Sequence, residues 1–195
     1  MASNAVKPQI FVTEFDADSI KKLMEDLCAI ESQYAPHQPI LVHIDSYGGA
    51  VHGLSVLYNK LKSLPNPIIT YTSSKAMSAG AILLSTVASP GNRLASPEAD
   101  IMIHEIQSAD WGDIKDLEDG MRYTKRMNTK WMGILAKSMG LKSASEIRQL
   151  IKQKAIGHNV YLSAQQAKKI GIIDDIANIK MTPYHGWDFI RLKWN

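Results

Sequence analysis

Apolar residues along this chain appear first in short β-branched or aromatic runs and then at helical spacing, and the two patterns alternate. Ile10 to Thr13 is a run of the first kind; beyond the acids Asp16 and Asp18, residues Ile20, Leu23, Met24, Leu27 and Ile30 mark one face of a helix. Pro36 and Pro39 punctuate a loop before Ile40-Leu41-Val42-His43-Ile44, and Gly48-Gly49 leads into Val51, Leu54, Leu57, Tyr58 and Leu61. The strand-helix unit has repeated. Pro65 and Pro67 end that helix, Ile68 to Thr72 supplies a third strand, and Ala79 to Val87 a third helix. Such alternation predicts an α/β fold with a largely parallel sheet.

Past Pro90-Gly91, the runs Leu94-Ala95 and Ile101-Met102-Ile103 are short enough for strands. A long helix is predicted next. Its face of Ile114, Leu117, Met121, Thr124, Asn128, Trp131, Leu135 and Met139 is apolar at both ends and more polar in the middle, as suits packing at an interface. Helices over Ala144–Lys154 and Ala164–Ile170 follow, then a final strand at Gly171-Ile172-Ile173. The last twenty residues carry Trp187, Phe189, Ile190, Leu192 and Trp194 with Arg191 and Lys193 interleaved. A free tail is usually polar, so this one either folds back as a strand or meets a neighbouring subunit. The expected organisation is an N-terminal tail over 1–8, one domain over 9–176 and a C-terminal extension over 177–195.

Composition narrows the class without fixing it. The 195 residues are 45% hydrophobic and 21% charged, ordinary for one buried core. A net charge of +3 is spread among acids in no long block, so nucleic acid is not implied. The single cysteine, Cys28, can form no internal disulfide, which fits a reducing cytoplasm. Met1 to Pro8 lacks the apolar core of a signal peptide, and no run reaches the roughly 18 apolar residues that span a bilayer. Six histidines show no ligand spacing, and His104-Glu105 lacks the second histidine of a zincin motif, so neither metal nor cofactor is expected.

The candidate chemistry lies in three segments. Ala76-Met77-Ser78-Ala79-Gly80 places a serine between a strand and a helix start, where free N–H groups and the positive end of the helix dipole suit an oxyanion. It differs from the G-x-S-x-G elbow by Ala76, and alone it reads more readily as an ordinary helix N-cap. Asp45-Ser46-Tyr47-Gly48-Gly49 ends a parallel strand with paired glycines, allowing either close backbone approach or simply a tight turn. His104 closes the strand Asp100-Ile101-Met102-Ile103-His104 and could reach the same sheet edge. Together they supply a nucleophile, a base and oxyanion donors.

The ordered set resembles the proteolytic subunit (ClpP) family of the Clp protease, serine peptidases with the crotonase-like fold. The matching segments are Asp45-Ser46-Tyr47-Gly48-Gly49-Ala50-Val51, Ala76-Met77-Ser78-Ala79-Gly80-Ala81, Ile101-Met102-Ile103-His104, Tyr161-Leu162-Ser163-Ala164-Gln165-Gln166-Ala167 and Gly171-Ile172-Ile173-Asp174, spanning roughly Ile10 to Ile176. The resemblance implies repeated strand-helix units with a protruding long helix, and an endopeptidase acting on peptides or unfolded proteins. It assigns Ser78 as nucleophile, His104 as general base, and the N–H groups of Gly48 or Gly49 and of Ala79 as the oxyanion hole. It also implies a homo-oligomer of heptameric rings stacked as a tetradecamer, with the helix from Gly112 to Met139 in the ring-to-ring contact.

Three departures qualify the resemblance. The family's third triad member is an aspartate, and Asn159 occupies its place; a neutral amide orients the histidine but brings no charge. Asp174 or Asp175 is a candidate stand-in, and Lys75 a candidate partner for Ser78 in a Ser-Lys dyad. The first strand begins after only about nine residues, where the family carries axial loops that touch an AAA+ unfoldase, and Leu41 and His43 stand where it often has docking tyrosines. Docking of that ATPase is therefore doubtful. The alternative to an active peptidase is a catalytically weak, structural or modulatory subunit of a Clp-type complex.

Overall fold

The computed structural model describes residues 7–182 and 186–191. Its main sheet has six strands in the order β1 (Gln9–Val12), β2 (Ile40–Ile44), β3 (Ile68–Thr72), β5 (Arg93–Ala95), β8 (Asp175–Thr182) and β9 (Gly186–Arg191). All neighbours pair in parallel except β8 and β9, an antiparallel hairpin. A smaller sheet places β4 (Lys75–Met77) parallel to β6 (Asp100–His104), which pairs antiparallel with β7 (Asn159–Ser163). The mixed α/β class and the repeated strand-helix units match the sequence reading.

Helices cover the sheets as their patterns require. In α1 (Ala17–Gln33), Asp16 caps the first turn by accepting from the Ser19 N–H, and Ile20, Leu23, Leu27 and Ile30 are buried. Leu54, Leu57 and Leu61 of α2 (Val51–Ser63) do the same beside it. By contrast α3 (Ala79–Thr86) is buried on every side, so its start lies deep in the molecule rather than at the surface. A helix apolar all round belongs inside a core, and this one anchors the strand-to-helix corner that precedes it.

The long helix α4 (Ile114–Ser138) opens with a capping box between Asp113 and Asp116. Only its second half packs inward, through Asn128, Trp131, Met132, Leu135 and Ala136; Ile114, Leu117 and Met121 of the first half are exposed. The helix protrudes, as expected. It is followed by α5 (Ala144–Lys154) and α6 (Ala164–Lys169). Among the described residues no helix is long and apolar enough to cross a membrane.

The strand predicted at Gly171-Ile172-Ile173 is instead a helix stop. Gly171 has φ +82°, its N–H donates to Lys168 O and the Ile172 N–H donates to Ala167 O, the paired bonds of a Schellman cap on α6. Ile172 and Ile173 are buried as loop residues and the strand starts at Asp175. A short apolar run alone could not distinguish these outcomes. The aromatic tail folds back on its own subunit: Trp187 is buried against Leu41, Tyr71, Leu94 and Ala177, and its indole N–H donates to Pro8 O at 3.3 Å. Leu192, Lys193 and Trp194 lie outside the described residues, as do residues 1–6 of the expected N-terminal tail.

Candidate active site

Ser78 joins β4 to α3 at φ 53° and ψ −118°, the one non-glycine residue with positive φ among those described. Two bonds hold it there. Its N–H donates to Met102 O on β6 at 2.8 Å, and its C=O accepts the first helical bond from the Ile82 N–H at 3.1 Å. With its backbone so fixed, the side chain is turned out of the corner, and the strained conformation costs on the order of 1–3 kcal/mol that the buried α3 must offset.

Because β6 lies beside β4 in parallel register, with Met77 opposite Met102, the end of β6 brings His104 level with the corner. His104 Nε2 lies 2.7 Å from Ser78 Oγ. Burial of the ring lowers its pKa below the usual 6.5, so the imidazole is neutral at pH 7. With the serine hydroxyl donating to Nε2, the ring proton sits on Nδ1. That nitrogen is buried and has no hydrogen-bond partner among the described residues.

Asn159 stands directly opposite His104 in the antiparallel β6–β7 register, yet does not hold the ring. Its amide nitrogen donates to Tyr161 Oη at 3.3 Å. The two other candidate carboxylates are engaged elsewhere. Asp174 takes a forked bond from Arg93 Nε and Nη2 at 3.0 and 2.5 Å, while Asp175 pairs with Lys168 at 2.7 Å and Arg191 at 3.3 Å. Burial works to raise the pKa of Asp174, but the hydrogen bonds and charge of Arg93 hold it below the ordinary 3.8. Neither aspartate stands in for the missing one. Lys75 Nζ bonds Asp45 at 2.8 Å and lies 4.6 Å from the centre of the Tyr47 ring, so it forms its pair with Asp45 rather than with Ser78.

The glycine turn lies against the corner. Ser46 is zipped to β4, donating its N–H to Lys75 O at 3.1 Å and accepting from the Met77 N–H at 3.0 Å. Gly48, at φ +107°, approaches so closely that a Cβ there would lie 2.7 Å from Ser78 Cβ. Glycine is required at this contact. The Gly48 N–H donates to Ser46 Oγ at 3.0 Å, whereas the N–H groups of Gly49 and Ala79 have no acceptor among the described residues and both residues line the pocket at Ser78. A pocket of about 210 Å³ completes the site, walled by Val51, Leu54, Ile82, Ile106 and Trp131 around Ser78 and His104.

The structure therefore brings Ser78, His104, Gly48, Gly49 and Ala79 together and leaves Asn159 adjacent but turned away. Sequence reasoning missed the supports: Ser46, the Asp45–Lys75 pair that ties β2 to β4, and Trp131 on the pocket wall. For Ser46 and Asp45 the signal was their place within the glycine segment; for Trp131 it was a large aromatic on the inward face of α4.

Fold and site define a class, an α/β protein with a serine on a strained strand-to-helix corner hydrogen-bonded to a histidine within a pocket. Comparison with known proteins gives the lineage. The family model described as Clp protease matches residues 5–180. The chain is 32% identical over 165 residues to ATP-dependent Clp protease proteolytic subunit 1 of Tropheryma whipplei, covering 84% of this chain and 76% of that one. Identity to the protein of the same name from Rhodococcus jostii is 34% over 164 residues, covering 84% and 71%, and to that from Protochlamydia amoebophila 30% over 173 residues, covering 87% and 80%. The chain belongs to the Clp protease family, and its fold and protease class follow from that membership.

Proposed function

We propose that this protein is a serine endopeptidase that cleaves peptides or unfolded proteins through an acyl-enzyme on Ser78. The observation that carries the reading is the 2.7 Å contact between Ser78 Oγ and a neutral His104 Nε2. In the first step Oγ attacks the scissile carbonyl carbon while its proton passes to Nε2. The oxyanion is met by the N–H of Ala79 and that of Gly49 or Gly48. Collapse expels the amine, which takes the proton from Nε2, and a water activated by the same nitrogen then releases the acid and restores the serine. Cleavage of short fluorogenic peptides by wild type and Ser78→Ala, with fluorophosphonate labelling located by mass spectrometry, tests it. Equal rates in the two proteins, or label on another residue, overturn the assignment.

Assembly is part of the reading. The large apolar side chains of Trp111, Ile114, Leu117 and Met121, in the first half of α4 and just before it, are exposed, which supports ring-to-ring packing of two heptamers in a cytoplasmic particle. Sedimentation of wild type and Ile114→Lys/Met121→Lys checks this, with loss of the double ring expected in the variant. The relatives are named as ATP-dependent; here β9 covers the sheet face bearing Leu41, which counts against an unfoldase seated on that face.

A second reading is favoured by one observation, that Nδ1 of His104 has no partner among the described residues. Without an acceptor there the imidazolium formed in catalysis lacks compensation, as in a catalytically weak subunit that serves the complex structurally. Rapid labelling of Ser78 in the unmodified protein argues against it.

A further inference from the structure

A cavity of about 660 Å³ opens beside the Ser78 pocket rather than over it. Ile106 and Gln107 line both it and the smaller pocket at the serine, so the two spaces adjoin across a two-residue wall. That wall is fixed. Buried Asn128 accepts from the Ile106 N–H at 3.1 Å and donates to Glu105 Oε2.

The far side of the cavity is basic. Arg148 and Lys152 project from α5, and His158 from the loop after it. Arg148 is already engaged, donating to Thr129 Oγ1 at 2.7 Å with its Nε 3.7 Å from Glu105 Oε2, the cavity's one carboxylate. Lys152 and His158 enter no ion pair among the described residues. A cavity that holds one offset pair and two further basic side chains, joined to a peptide-cleaving pocket, is matched by an acidic group on the substrate.

We infer that this cavity is a carboxylate-binding subsite, taking an Asp or Glu side chain of the substrate a few residues from the bond cleaved. The inference rests on the reading of Ser78 as a peptidase nucleophile. Lys152 supplies the charge, His158 and Gln107 supply donors, and Arg148 with Glu105 shapes the wall. Exposed pairs of this kind are weak, so the subsite selects modestly, by roughly threefold to fivefold, and less at high salt.

The test uses quenched fluorescent peptides in which one Glu is walked from four residues before the scissile bond to four after it, each matched by a Gln peptide. Higher kcat/KM for Glu at one or two positions is expected, carried by KM. It should vanish in Lys152→Gln/His158→Gln and invert toward Lys-bearing peptides in Lys152→Glu. In a second arm, anisotropy measures binding of the same labelled peptides to the Ser78→Ala protein, which reads the subsite whether or not turnover is fast. Equal behaviour of Glu and Gln peptides at every position in both arms overturns the subsite, as does a preference that survives in the double variant. Cleavage that persists in Ser78→Ala instead overturns the nucleophile assignment and leaves the binding arm standing.

Discussion

Replacing Asn159 by aspartate converts the neighbour of the proposed base from a dipole to a charge at one atom's cost. Residues directly opposite in an antiparallel pair have Cβ atoms about 4.5–5.5 Å apart, so a carboxylate at 159 reaches the buried Nδ1 of His104 by side-chain rotation alone. An imidazolium and a carboxylate about 4 Å apart attract by about 4 kcal/mol at the effective dielectric of a protein surface. Position 159 is partly exposed, so about 2–3 kcal/mol is the fair share for the transition state, or roughly 30- to 150-fold in kcat. This sits below the roughly ten-thousandfold cost of the reverse exchange in a buried serine-protease triad. A second signature is the pH profile. In the wild type, burial depresses the His104 pKa, so activity is lost only as pH falls below 6.5; the new carboxylate favours the charged ring and moves that acid limb to higher pH. Steady-state hydrolysis of a fluorogenic peptide from pH 5 to 9 reads both. A kcat within twofold of wild type together with an unmoved limb would refute the claim that His104 lacks a charge partner at Nδ1.

Gly48→Ala forces a Cβ to 2.7 Å from Ser78 Cβ at a φ of +107°, so kcat should drop about hundredfold or more and chemical denaturation should show a loss of about 2–4 kcal/mol. Gly133→Ala is the contrast: it lies inside α4 with nothing within 4 Å of the new methyl, and a gain of about 0.5–1 kcal/mol with unchanged turnover is expected. Asp174→Asn leaves Arg93 half-buried without its carboxylate and should cost about 2–3 kcal/mol. Because the folded pKa of Asp174 lies below 3.8, that contribution is present above the unfolded value and is lost as pH falls through the folded one; the variant's melting temperature should converge on the wild type's in strong acid. His43 and His104 are both depressed by burial, and in the window between their folded values and 6.5 the unfolded chain binds protons that the native one does not. Melting temperature should therefore decline as pH is lowered from 6.5, and His43→Gln should lessen the slope.

Much of this was legible in the sequence because the governing forces are local. The alternation of β-branched runs with helical spacing fixes β1, α1, β2, α2, β3 and α3, and a serine before Ala79-Gly80-Ala81 marks a corner whatever the surroundings. Pairing between distant segments was not legible. The strand Asn159–Ser163 has only five residues, and it is defined by its pairing with the sequence-distant Asp100–His104. Likewise β4 is three residues long, its identity set by Ser46 on one side and Met102 on the other. Spacing could align Asn159 with the third triad position, but the direction of its amide depends on Tyr161 two residues on, a competition for a hydrogen bond that no pattern of residue types records.

The β8–β9 hairpin carries a consequence for biosynthesis. Trp187 binds Pro8 and Lys7 across some 180 residues of chain, the longest-range hydrogen bonds among the described residues. A ribosome releases β9 after every other strand of the main sheet, so until then the apolar face of Leu41, Tyr71 and Leu94 is open and the hairpin that covers it is missing. The nascent chain can thus assemble β1 to β5 early, but it must keep that face from other chains until β9 emerges. Closure by Trp187 and Phe189 makes the hairpin a checkpoint: a chain stalled before β9 presents a sticky sheet, and one that has passed it does not.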